Sequence, residues 1–101
     1  MSDELVLTEP TGTVTVPAAT LAGIVAGAAE SVDGARVRRP RRSVEVEVEG
    51  ASATVALQLA VRYGTILPAL AEAVQREVAE VLERMCGLEA RRVDVSVEEL
   101  V

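Results

Sequence analysis

The sequence predicts an α+β fold, a two-layer sandwich in β-α-β-β-α-β order with two helices packed on one face of a mostly antiparallel sheet. Three patterns predict it. Ser43 to Glu49 alternates strictly, putting Val44, Val46 and Val48 on one face and Glu45, Glu47 and Glu49 on the other. Leu67, Leu70, Val74, Val78, Val81 and Met85 recur at steps of three and four, the mark of one apolar helix face. Val93, Val95 and Val97 alternate with Arg92, Asp94, Ser96 and Glu98 in a last strand. A chain of 101 residues, 50% of them hydrophobic, suits one domain able to bury its own core.

The elements follow in order. Residues 1–11 read as a flexible, polar, Pro-containing lead-in, and residues 12–101 as the single domain. Gly12 to Val16 alternates small and β-branched residues, as a short strand does. Pro17 suits the first turn of a helix, where a missing N–H costs nothing. Leu21, Ile24, Val25, Ala28 and Val32 then follow at helical spacing, with Gly34 placed to stop the helix. Gly23 and Gly27 lie four apart and predict a thin helix face held close against a sheet or a second helix. The segment 36–42 is broken by Pro40 and reads as a loop or an edge strand, with a weak extra strand at Ala35 to Arg38. Gly50-Ala51-Ser52 turns the chain into a second strand, Ala53 to Arg62. Its residues Val55, Leu57, Leu59 and Val61 face the core, with Thr54, Ala56, Gln58 and Ala60 opposite. Thr65 is expected to cap the long helix and Pro68 falls in its first turn. Glu72 with Arg76, and Glu80 with Arg84, are i, i+4 pairs in the favourable order, and Gly87 followed by Leu88 ends the helix.

The residue inventory excludes much chemistry. No histidine is present, which removes the usual near-neutral base and the commonest metal ligand. One cysteine makes neither an internal disulfide nor a thiolate zinc site. No Ser-His-Asp set and no known glycine-rich phosphate loop occurs. Cys86 stands near a helix C-terminus, where the dipole disfavours a thiolate, and reads as a small hydrophobe. The three glutamates of the alternating strand read as a solvated face that resists edge association. The expectation is a protein that is not an enzyme and uses no metal or cofactor. With 18 Val, 16 Ala and Tyr63 as the only aromatic, its core is expected to be aliphatic. The start Met1-Ser2-Asp3-Glu4 lacks the basic-then-apolar pattern of a secretory signal. The longest uncharged run, ending at Ala29, carries too many Thr, Pro and Gly for a membrane span. A cytoplasmic chain without a transmembrane segment is expected.

Charge is unevenly spread. Ten Arg and no Lys oppose sixteen acidic residues, for a net −6. Arg36, Arg38, Arg39, Arg41 and Arg42 crowd into seven positions without an acid; five arginines against sixteen acids leave −11 elsewhere. Guanidiniums this close repel one another and welcome anions, whether lipid headgroups, an acidic protein or nucleic acid. Overall acidity and the lack of an aromatic stacking surface argue against nucleic acid. These five arginines are the candidate partner- and anion-binding residues, against the plainer reading of a solvated loop. The small-residue face Thr54, Ala56, Gln58 and Ala60 is a second candidate surface, suited to a homo-oligomer.

Several stretches carry a family resemblance when taken together. They are Tyr63-Gly64-Thr65-Ile66-Leu67, then Val74-Gln75-Arg76-Glu77-Val78, then Met85-Cys86-Gly87-Leu88, and finally Arg92-Val93-Asp94-Val95-Ser96-Val97. Gly12-Thr13-Val14-Thr15-Val16-Pro17 and Ser31-Val32-Asp33-Gly34 fit the same pattern. In order and spacing the chain resembles the bacterial alkaline shock protein family of envelope stress response proteins, over roughly residues 12 to 100. The resemblance implies a small non-enzymatic stress-associated scaffold at the cytoplasmic membrane face, reached through a membrane-anchored or envelope-linked partner. A soluble regulator that binds a lipid-synthesis enzyme is the alternative the resemblance leaves open; the Arg-rich segment by itself adds RNA binding as a further alternative. Cys86 stands where the family usually has Thr, so a thiol role is not inherited.

Overall fold

A computed structural model describes residues 3–101. In chain order the elements are β1 (Leu5–Glu9), β2 (Gly12–Val16), α1 (Ala18–Glu30), β3 (Ala35–Arg36), the one-turn α2 (Pro40–Ser43), β4 (Val44–Glu49), β5 (Ser52–Val61), α3 (Leu67–Cys86) and β6 (Glu89–Leu100). The fold is α+β, as expected. β5 is the central strand of the main sheet, with β3 and β4 end to end along one edge and β6 along the other. The β4–β5 ladder is antiparallel and the β5–β6 ladder parallel; α3 is the crossover that a parallel connection requires. α1 packs over β4, α3 over β6, and the two helices pack on each other.

The period-2 pattern of β5 sorts its faces. Ala53, Val55, Leu57, Leu59 and Val61 are buried under the helices, while Thr54, Ala56 and Gln58 are exposed. Gly50 adopts φ 60° at the first of the two residues linking Glu49 to Ser52, where a tight hairpin turn calls for a left-handed residue. On α3 the buried row is Leu70, Val74, Val78, Leu82 and Cys86. This differs from the expected stripe: Leu67 and Met85 are exposed, and Leu82 and Cys86 replace them. A helix sitting on a twisted sheet buries the row that follows the contact, and here that row advances by fours. Gly87 (φ 66°) ends the helix, and Leu88, 1% exposed, plugs the core behind it. Apart from Cys86, the hydrophobic core cluster is aliphatic.

Several expectations need correction. The lead-in is not loose from Leu5 onward. β1 pairs antiparallel with β2 from Leu5 opposite Val16 to Glu9 opposite Gly12, and Leu5 is 3% exposed in the core. The apolar Leu5 and Leu7 supply the anchor that the polar reading of this stretch overlooked. Residues 1 and 2 lie outside the described residues. The resulting hairpin stands apart from the main sheet, so the Gly12–Val16 strand is not one of its members. Gly23 and Gly27 are exposed, and a Cβ at either would meet nothing within 4 Å; the thin face does not press on a neighbour. Gly34 (φ 92°) is a turn residue three beyond the helix cap at Ser31, not the helix stop itself. Ile66, not Thr65, occupies the cap position of α3, and the Thr65 hydroxyl is buried without a partner. Among the described residues the ion pairs are Arg38–Glu99, Arg62–Asp33 and Arg92–Asp94, so the i, i+4 pairs on α3 are not closed.

Candidate functional site

The Arg-rich segment is an excursion from a strand. Arg36 lies opposite Ala60 and Val44 opposite Leu57, so eight steps on this edge run alongside only three on β5. The five extra residues must leave the sheet. Two anchors hold the excursion. At its start the Val37 side chain is 5% exposed and its N–H donates to Glu30 Oε2 at 3.0 Å. At its end Ser43 is buried, and its N–H donates to the Arg39 carbonyl at 2.8 Å, closing α2. Pro40 starts that turn, where its lost N–H is not missed. Between the anchors every residue, Pro40 included, is exposed, and so all five arginines, Arg36 just before the first anchor and Arg38, Arg39, Arg41 and Arg42 after it, are exposed.

The five spread over several grooves, with Arg39, Arg41 and Arg42 sharing a shallow one around Pro40. Arg38, Arg39 and Arg42 border a groove of about 470 Å³ on the open sheet face, with Gln58, Glu98 and Glu99 on its other wall. Arg36 and Arg38 border a second groove with Arg62 and Glu30. Arg41 also borders a groove of about 510 Å³ between α1 and β4 that holds Asp3, Glu45 and Glu47. Arg38 is bridged to Glu99 at 3.1 Å. Among the described residues Arg36, Arg39, Arg41 and Arg42 make no ion pair or side-chain hydrogen bond. Four guanidiniums thus retain their donors for an outside acceptor. Glu98 and Glu99 escaped the sequence reading because they lie some sixty residues from the arginines; only the register of β6 on β5 brings them in.

The small-residue face is less neutral than its sequence suggests. Ala56 has Glu45 on one side and Asp94 on the other, and Thr54 lies between Glu47 and Arg92. Ala60 is fully buried rather than open, set between Arg36 and Glu99 on the neighbouring strands. Cys86 is buried, and burial pushes its thiol pKa up, so the thiol form is favoured. Among the described residues no helix is long and apolar enough to cross a membrane, and no group of three or more His, Cys, Asp or Glu is placed to hold a metal ion.

Comparison with solved structures gives the fold a second footing. A manganese form of MamM CTD superposes with a TM-score of 0.60 at 20% identity, covering 78% of this chain and 94% of that one. Two zinc forms of the same domain give 0.57 at 21% identity, over 78% of this chain and 81% of theirs. Identity this low speaks for shared architecture alone. No curated protein matches the chain. A family description does match, over residues 35–101, from β3 through the excursion and the main sheet to the end of β6. On that match, which takes in well over half the sequence and leaves out the hairpin and α1, the chain belongs to the alkaline shock protein 23 family, which has a cell envelope-related function.

Proposed function

We propose that this domain is a non-enzymatic, stress-associated scaffold that works at the cytoplasmic face of the cell envelope by docking on a membrane-anchored or envelope-linked protein. Family membership supplies the envelope link. The observation that carries the docking role is the excursion of five extra residues, which lifts exposed arginines off the sheet and leaves four of them unpaired among the described residues. A rigid two-layer body holds the excursion by its ends, so the arginines are presented with little ordering cost on binding. Arginine suits this task because its planar fork meets a carboxylate or phosphate in two bonds at once.

The test is fractionation in the native host. Wild-type chain is expected with the membranes only when its partner is present, and replacing all five arginines by Ser is expected to release it. An unchanged distribution would remove the excursion from the account. A chain that stays soluble and purifies with a metabolic enzyme alone would favour the regulator reading instead.

A further inference from the structure

The main sheet has two edges, and their charges differ. β4 carries Glu45, Glu47 and Glu49 at alternate positions, so pairing it with its own copy sets carboxylate against carboxylate. β6 is longer, at 12 residues, and unlike β4 carries both signs: Arg91 and Arg92 follow Glu89 near its start, Asp94 lies mid-strand, and Glu98 and Glu99 stand near its end.

The ladder tells which backbone groups of β6 face outward. Glu89 N–H donates to the Ala51 carbonyl; Val101 N–H donates to Val61, and the Val101 carbonyl accepts from Tyr63. Between these ends Arg92, Asp94, Ser96 and Glu99 stand opposite Thr54, Ala56, Gln58 and Ala60, in step with the residues bonded to β5, and register shifts set Arg91 and Glu98 aside. Val93, Val95 and Val97 therefore turn their N–H and C=O groups away from β5. The Gln75 side chain, reaching over from α3, donates to the Val93 carbonyl at 3.0 Å, as an outward carbonyl allows.

We infer that this outer edge of β6 pairs antiparallel with β6 of a second copy, about a two-fold axis at Val95, joining the two sheets into one. In that register Val95 meets Val95, and Val93 meets Val97 of the second copy, so the outward-facing residues bond one another. Arg92 comes opposite Glu98 and Arg91 opposite Glu99, each twice by symmetry. All four charged side chains are exposed in the single chain; Arg91 and Glu98 make no ion pair among the described residues, whereas Arg92 must exchange or share Asp94 (2.9 Å) and Glu99 must exchange or share Arg38 (3.1 Å). Val97 and Leu100, 37% and 50% exposed on the helix side of the strand, gain cover in the pair. Gln75 must release the Val93 carbonyl, which the second copy's Val97 N–H then bonds.

The experiment uses the full chain and its charge reversals. Light scattering and sedimentation of the wild type are expected to show a dimer at concentrations of about 100 μM, with the Val95 and Val97 amides slowing in hydrogen exchange as concentration rises. The R91E/R92E variant and the E98R/E99R variant are each expected to weaken self-association by roughly 100-fold, since favourable cross-strand pairs become repulsive ones. Mixed in equal amounts they are expected to form a heterodimer, and the four-fold swap is expected to restore the homodimer. Circular dichroism melts establish that each variant is folded. A wild type that stays monomeric at about 1 mM, or a dimer that survives either reversal, would overturn the inference.

Discussion

Arg62, directly after β5, holds Asp33 with two hydrogen bonds, of 2.8 Å to Oδ2 and 3.2 Å to Oδ1, tying the turn after α1 to the end of the central strand. The Arg62 hydrogen bond and charge lower the Asp33 pKa below the ordinary 3.8, and Asp33 in turn raises that of Arg62. A carboxylate whose folded pKa is lowered stabilises the fold above its unfolded pKa, and that contribution fades as pH falls through the folded value. The stability gap between wild type and Asp33→Asn is therefore expected to be constant at neutral pH, to shrink below about pH 4 and to vanish at still lower pH. Both side chains are well exposed, so added salt should shrink the gap too. Chemical unfolding across this pH range checks it; a gap that widens in acid would contradict it.

Gly23 and Gly27 sit inside α1 with open space where a side chain would go. Alanine adds helix propensity without a clash. Gly23→Ala and Gly27→Ala are each expected to stabilise the fold by about 0.5–1 kcal/mol. Thermal melts should rise by several degrees for each, about 4–8 °C per kcal/mol in a domain of this size. A loss of stability would mean that the face is occupied by something else.

The Thr65 hydroxyl is buried without a hydrogen-bond partner. An isosteric apolar group removes that desolvation cost while keeping the packing. Thr65→Val is expected to leave stability unchanged or to raise it by about 1 kcal/mol, as read by denaturant midpoints. Gly34 faces the same hydroxyl: a Cβ there would stand 3.1 Å from Thr65 Oγ1, at a φ of 92° that side chains avoid. Gly34→Ala is accordingly expected to destabilise, by about 1 kcal/mol or more.

Cys86 ends the buried row of α3 and its pKa is raised by burial. Its reaction with a thiol-specific disulfide reagent at neutral pH is expected to be slow in the folded chain and to accelerate on unfolding. Rapid labelling of the native protein would count against the packing role.

Much of the fold is legible in local pattern. Val44, Val46 and Val48 must share a face because a strand repeats every two residues, and Gly87 must end α3 because it takes the left-handed conformation cheaply. Where the reading failed, the deciding contact was remote or weakly signalled. Leu5 and Leu7 are too few to announce a strand, and it is Val16 and the core that give them a partner. The choice between Met85 and Cys86 for the core depends on how α3 lies across the sheet. The candidate site divides likewise: the five arginines are visible as a run, but not that they leave a strand, nor that Glu99 reaches Arg38.

Alone, the chain of letters determined the α+β class, the alternation of the strands, the aliphatic core and the concentration of arginine in one segment, because composition and short-range periodicity are local properties. Only the tertiary structure decided that the excursion spans five extra residues, that Ala60 is sealed, and that β6 is an outer edge carrying Arg91 and Arg92 towards one end and Glu98 and Glu99 towards the other. Register and edge position arise from pairing between segments far apart in sequence, and no local pattern encodes them.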